Sequence, residues 1–200
     1  MYHPRRLEIV ETSLPGVLIL EPRVFRDSRG WFMETFNATL FARLGLPIDF
    51  AQDNHSASAR NVVRGLHYQL IQPQGKLVRC ARGAILDVAV DIRRGSPTFG
   101  KTAFAELTAD NRRMLWIPPG FAHGFSVLEE AEVIYKCTTP WHQPSDRTIL
   151  WNDPDLAIDW RVGADAIISA KDAAGTPLRE AETFEYHAPP PRECPTPSRG

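Results

Sequence analysis

Three strings concentrate groups that can move protons. RNVVRGLHYQ places Arg64, His67 and Tyr68 beside a glycine, and QGKLVRC brings Lys76 nine residues after His67. WIPPGFAHGFSV sets His123 after a Pro-Pro-Gly turn and ahead of an apolar run. EVIYKCT puts Tyr135 on one strand face with Val133 and Cys137. A single histidine is more often structural than catalytic. Taken together, these residues supply a base, a cation for a developing oxyanion and a hydroxyl acid, which is the set that proton transfer requires. Other chemistries fit less well. The chain has no GxGxxG opening a helix, no Walker-type phosphate loop and no GxSxG. No cysteine has a CxxC partner. A metal on a β-barrel commonly needs two or three histidines and a carboxylate at close spacing, and two residues after His67 stands Gln69. No metal site and no cofactor are expected.

Strands must position these groups. The 17 prolines and 13 glycines are spread widely and cut the chain into short apolar runs. Lys76 to Ala81, Ala84 to Ile92, Lys101 to Leu107, Met114 to Ile117, Gly124 to Leu128 and Glu132 to Thr138 are such runs, several with period-two alternation. Many short strands with frequent turn signals predict an all-β sandwich or barrel. One helix is predicted over Asn37 to Leu46, with Leu40, Phe41 and Leu44 at helical spacing, Asn37 as N-cap, and Gly45 and Pro47 as stops. In AILDVAVDI, Leu86, Val88, Val90 and Ile92 share one face, and Ile85, Asp87, Ala89 and Asp91 share the other. Asp91, beside the RRGS turn, is expected to face solvent. Asp87 lies deeper, and both solvent and a polar pocket are open to it. His55, in the turn-like QDNHSAS, and His3, His142 and His187, near the ends or in polar loops, are assigned no chemistry; the last three are expected to be solvated.

The chain of 200 residues suits one domain over residues 1–185 with a Pro-rich, disordered tail over 186–200. Its formal net charge of −1 lacks the summed positive field of a nucleic-acid binder, so any anion must be gripped locally. No apolar run approaches the roughly 18 residues of a membrane span, and the N-terminal string MYHPRRLEIVETSLPG does not have the form of a signal peptide. Cys80, Cys137 and Cys194 cannot all pair internally, which suits a reduced, cytoplasmic compartment.

The strings VFRDSRGWFMETFN, QDNHSASARNVVRGLHYQ, QGKLVRCARGAILDVAVDIRRGSPTFGK, LWIPPGFAHGF, YKCT, ILWNDPDLAIDW and ISAKDAAG, in that order, resemble the dTDP-4-dehydrorhamnose 3,5-epimerase family. The resemblance runs from about Leu14 to about Leu178. It implies a cupin-type jelly-roll barrel with short flanking helices, a metal-independent cytoplasmic homodimer, and epimerisation of a dTDP-4-keto-6-deoxy sugar on the route to dTDP-L-rhamnose. A related single-carbon epimerase is the alternative. A cupin that only binds a nucleotide sugar would have no need of both a base and an acid, and a metal-dependent cupin is the remaining competitor.

By the same resemblance, His67 is the base, Asp172 of SAKD its hydrogen-bonding partner, Tyr135 the proton donor and Lys76 the group at the oxyanion. His123 matches a second substrate-contacting histidine, with Asp87 paired to it. Arg29, Glu34, Gln52, Asn54, Arg64, Asp146 and Lys171 match substrate-binding positions, and some of these contacts are implied to come from the neighbouring subunit. Two departures stand out. Pro140 and Trp141 stand where the family often carries a tyrosine pair, and Asp146 where a glutamate is common.

Overall fold

The computed structural model describes residues 7–187. In chain order the strands and helices are β1 (Leu7–Glu11), β2 (Leu18–Pro22), β3 (Val24–Asp27), β4 (Gly30–Met33), α1 (Ala38–Arg43), β5 (Gln52–Ser58), β6 (Val62–Gln69) and β7 (Lys76–Asp91). They continue with β8 (Arg93–Arg94), β9 (Thr102–Thr108), β10 (Met114–Ile117), β11 (Phe121–Cys137), β12 (Asp146–Thr148), β13 (Ile167–Ile168), α2 (Ala170–Ala173) and β14 (Phe184–Glu185). This is the all-β architecture that the strand-rich sequence predicts, and the jelly roll that the family resemblance implies.

Two long strands, β7 and β11, build both walls of the barrel. Their halves at Lys76–Cys80 and Val133–Cys137 pair with each other, and β10 and β5 extend that wall on either side. Their halves at Ala84–Val90 and Phe121–Val127 pair again, flanked by β9 and β6. Between the halves the register of β11 slips, and there Gly83 has φ +73°. A Cβ on Gly83 would come within 2.0 Å of the Glu130 carbonyl oxygen, so only glycine fits the bend.

Alternation sorts the side chains. Val78, Ile85, Leu107, Leu115, Phe125 and Val133 fill the space between the two walls. Leu86, Val88, Val90 and Ile92 point the other way and are covered by Ile149, Leu156, Trp160 and Leu178. With both faces of β7 covered, Asp87 and Asp91 are each fully buried. For Asp91 this corrects the solvent-facing expectation. The RRGS turn folds back on its carboxylate, which accepts from the Arg93 backbone N–H (3.0 Å), Arg93 Nε (2.8 Å), Ser96 Oγ (2.6 Å) and Thr98 Oγ1 (2.6 Å). Burial would raise this carboxyl, but the hydrogen bonds outweigh it and hold Asp91 below its ordinary value.

QDNHSAS is likewise strand β5, not a turn, and His55 pairs with Glu132 at 3.1 Å across to β11. His142 is half-buried, with Nδ1 at 2.9 Å from Ser145 Oγ, so it too departs from the expected solvation. The predicted helix forms with Asn37 as its cap, Oδ1 accepting from the Leu40 N–H at 3.1 Å. It ends at Arg43, ahead of Gly45 at φ +70°, and buries Phe41 against Leu20, Leu77, Met114 and Trp116. His3, Cys194 and nearly all of the Pro-rich tail lie outside the described residues.

A second close backbone approach lies beside His67 and His123, which face each other across β6 and β11. Gly65 on β6 and Gly124 on β11 pack so tightly that a Cβ on Gly124 would meet the Arg64 carbonyl oxygen at 2.6 Å, and one on Gly65 would meet Gly124 Cα at 2.5 Å. Forcing a methyl group into such backbone contact costs about 1–3 kcal/mol or more. Gly124→Ala is expected to destabilise the protein by that order, read as a lower urea midpoint, and an unchanged midpoint would show that the two strands can spread without cost.

Candidate active site

The inward faces of β5, β6, β7 and β11 converge on a cavity of about 350 Å³. His67 comes from β6, Lys76 from the start of β7, and Tyr135 and Cys137 from the end of β11. A second chamber of about 130 Å³ lies against it, walled by Ser56, Arg64, His123 and Phe125. His67, Lys76 and Tyr135 line both chambers.

His67 Nε2 lies 2.7 Å from Asp172 Oδ1, and Asp172 Oδ2 accepts the Gly65 backbone N–H at 3.2 Å. Asp172 sits on α2, whose start is capped by Ser169 Oγ accepting the Asp172 N–H at 3.1 Å. Burial alone would raise the Asp172 carboxyl. The bonds and charge from His67, with those from Gly65 and Ser169, outweigh it and hold the carboxyl below its ordinary value. An ionised carboxylate can only accept, so the shared proton belongs to His67 Nε2 and the basic lone pair is on Nδ1.

The second pair differs in solvation. His123 Nε2 lies 2.6 Å from Asp87 Oδ1, and both side chains are buried. Burial pushes the His123 pKa down; Asp87 pulls it up, but Lys76 and His67 add to the depression, and the net shift is downward. His123 is therefore held as the neutral imidazole. Asp87 Oδ2 is buried with no hydrogen-bond partner among the described residues.

Lys76 is 7 % exposed and donates to the His67 carbonyl at 3.3 Å. Burial pushes its pKa down, opposed by Cys137, Asp146 and Asp87. Tyr135 is half-buried, and burial pushes its phenol up, so it remains a proton donor well into the alkaline range.

Of the residues expected from sequence, Gln52, Asn54, Asp146 and Lys171 line the larger cavity, and Arg64 and His123 the smaller. Lys171 Nζ pairs with Asp146 Oδ2 at 2.5 Å. Arg64 binds Ser58 Oγ at 3.0 Å through Nε. Arg29 and Glu34 line neither chamber. Arg29 is exposed on the β3–β4 turn and pairs with Asp27 at 2.6 Å, while Glu34 accepts from Asn37 Nδ2 at 3.3 Å beside α1. Gln69 and Gln74, which line the cavity, were not among the expected site residues. Gln69 lies two residues after His67 on one strand, hence on the same face, which is a signal the sequence does contain. Gln74, in a loop between Pro73 and Gly75, carries no such signal. Among the described residues, no three or more of His, Cys, Asp and Glu come together as a metal-holding group.

A base with a fixed tautomer, a buried ammonium and a protonated phenol around one cavity form a device for taking a proton from a carbon acid and returning one. Comparison with known proteins agrees. A model of the family described as dTDP-4-dehydrorhamnose 3,5-epimerase matches residues 11–180. A dTDP-4-dehydrorhamnose 3,5-epimerase of Pseudomonas aeruginosa is 51% identical over 180 residues, covering 89% of this chain and 99% of that protein. The crystal structure of a dTDP-6-deoxy-D-glucose-3,5-epimerase from Legionella pneumophila, in complex with dTDP-4-keto-L-rhamnose, superposes with a TM-score of 0.88 at 45% identity, covering 91% of this chain and 100% of that one. A 3'-monoepimerase from Streptomyces bikiniensis, in complex with dTDP-quinovose, is more distant, with a TM-score of 0.78 at 31% identity over 84% of this chain and 86% of that one.

The burial of His123 has a measurable consequence. In an NMR titration its ring should change protonation below the free-histidine value of about 6.5. Asp87→Asn should move that midpoint lower still, because the carboxylate is what opposes the depression. A midpoint at or above the free value would contradict a neutral, desolvated His123.

Proposed function

This chain belongs to the dTDP-4-dehydrorhamnose 3,5-epimerase family, and we infer that it inverts carbons 3 and 5 of dTDP-4-dehydro-6-deoxy-D-glucose to give dTDP-4-dehydro-L-rhamnose. The observation that carries this reading is that His67 and Tyr135 line the same two chambers, with Lys76 lining both as well. The 4-keto group acidifies the hydrogens on carbons 3 and 5. His67 Nδ1 takes one of them, and the electron pair of that C–H bond becomes an enolate with its charge on the keto oxygen. Lys76 faces that charge, and Asp172 stabilises the imidazolium that forms. Tyr135 gives a proton to the same carbon from the opposite side, which inverts the centre. The half-exposed imidazole and phenol then exchange with water and regain their starting forms. Only protons move, so the reaction needs no redox partner.

Arg64 and Lys171 supply cations for the diphosphate, and Gln52, Asn54, Asp146 and His123 supply polar contacts, with Asp87 holding His123. Arg29 and Glu34 serve the cavity of the neighbouring subunit in a homodimer. The β3–β4 hairpin supports this, since Phe25, Trp31 and Phe32 on it are exposed. The enzyme works in the cytoplasm. Identity near one half to 3,5-epimerases, against less than one third to the monoepimerase, supports inversion at both carbons.

Incubation of dTDP-4-dehydro-6-deoxy-D-glucose with the enzyme in deuterated water should place deuterium at both carbons. His67→Asn should abolish exchange at both, and Tyr135→Phe should slow product formation by about a hundredfold or more while the fold is kept. Label at one carbon only would transfer the chain to the monoepimerase reading, and no label would refute the reaction. The pH profile separates two further groups. Burial lowers the Lys76 pKa and raises that of Tyr135, so the alkaline fall in kcat belongs to Lys76. Lys76→Arg should move that fall to higher pH in whatever activity it retains, and an unmoved fall would assign it elsewhere.

A further inference from the structure

The rim of the larger cavity is a loop, residues 138–142, whose backbone is held chiefly by glutamine side chains. Gln74 Nε2 donates to the Thr139 carbonyl at 2.9 Å. Gln69 Nε2 donates to the Pro140 carbonyl at 3.2 Å, and Gln69 Oε1 accepts the His142 N–H at 2.8 Å. Gln52 Oε1 accepts the Trp141 N–H at 2.7 Å. Four successive residues thus present two carbonyls and then two N–H groups. A side-chain amide is the group that meets both needs, since a carboxylate cannot donate and an ammonium cannot accept. It does so without adding charge beside Lys76 and Lys171.

Two features show that the rim is built, not merely tethered. Gln69 is 3 % exposed, and its amide also donates to the Gln72 carbonyl at 2.7 Å, so it cannot swing out to water without losing three bonds. Trp141, by contrast, is 55 % exposed and lines the cavity. A large indole left in solvent gains nothing for the fold; fixed by its backbone, it offers a pre-set apolar wall to a ligand.

We propose that Gln52, Gln69 and Gln74 are positioning residues that form a neutral clamp, holding Trp141 as one wall of the cavity mouth and so setting how tightly the nucleotide sugar is held. This rests on the reading of the cavity as a dTDP-sugar site. The clamp acts on binding more than on chemistry. His67 is fixed separately, by Asp172, and its strand keeps its pairing to β11 at His123.

The test compares wild type, Gln69→Met, Trp141→Ala and the double variant, measuring dTDP affinity by calorimetry alongside KM and kcat. Loss of the Gln69 bonds should weaken dTDP binding and raise KM about tenfold, with kcat within about threefold. In the Trp141→Ala background the same substitution should add less than about twofold, because the part it positions is gone. A folded Gln69→Met with unchanged affinity and KM would overturn the clamp, as would losses that multiply in the double variant. Should Gln69→Met fail to fold, Gln74→Met carries the same comparison, with about threefold expected for its one bond to the loop. Wild type that binds dTDP but exchanges no deuterium would refute the reaction and still leave the clamp to be judged on affinity.

Discussion

A histidine held against an ionised carboxylate has its tautomer chosen for it, because the carboxylate can only accept. The catalytic reading of this protein depends on that constraint being imposed on His67. Its partner, Asp172, lies 105 residues away along the chain. The segment between returns to the strand through a two-residue parallel bridge, Ile167 and Ile168 against Val62 and Val63. A four-residue helix capped by Ser169 then sets Asp172 beside Gly65 and His67. The C-terminal segment thus covers the outer face of β7 with Trp160 and Leu178 and delivers the carboxylate as well.

The two histidine–carboxylate pairs show that geometry alone does not assign a role. Their contacts are nearly equal, 2.7 Å for His67 and 2.6 Å for His123. The His67 side chain is 33 % exposed, and that of His123 only 8 %. A base must shed its acquired proton to water after each turnover, and only His67 has access to do so. A buried imidazole kept neutral by desolvation suits a fixed polar contact instead. The same pair of side chains is therefore suited to two purposes, decided by how much water reaches each.

Much of this was legible in the sequence because it rests on local rules. Period-two alternation gave the strands and the two faces of AILDVAVDI, and a capping asparagine gave α1 its start. The motif strings picked out His67, Lys76 and Tyr135. What was hidden depends on contacts between distant segments. Asp91 reads as a surface residue until the following turn folds over it, and QDNHSAS reads as a turn until β11 lies alongside to pair with it. The face of Gln69 can be read from its spacing to His67, but its partners cannot, because the loop it meets lies 71 residues away at Pro140. Arg29 and Glu34 show the reverse case, where a motif names residues that the fold does not bring to the cavity.

In the proposed reaction, the charge arrangement lets a chain with formal net charge −1 stabilise an enolate. Lys171 is matched by Asp146, but Lys76 and Arg64 form no ion pair with a carboxylate among the described residues. Lys76 in particular is desolvated, which disfavours its ammonium in the free protein. A neutral ketone placed against it offers only partial relief. Full negative charge on the keto oxygen, which appears only as the proton leaves, offsets that desolvation at the moment the barrier is crossed. Burial of the lysine thus becomes selective for the transition state over the ground state, which is the condition for an interaction to raise kcat and not only affinity.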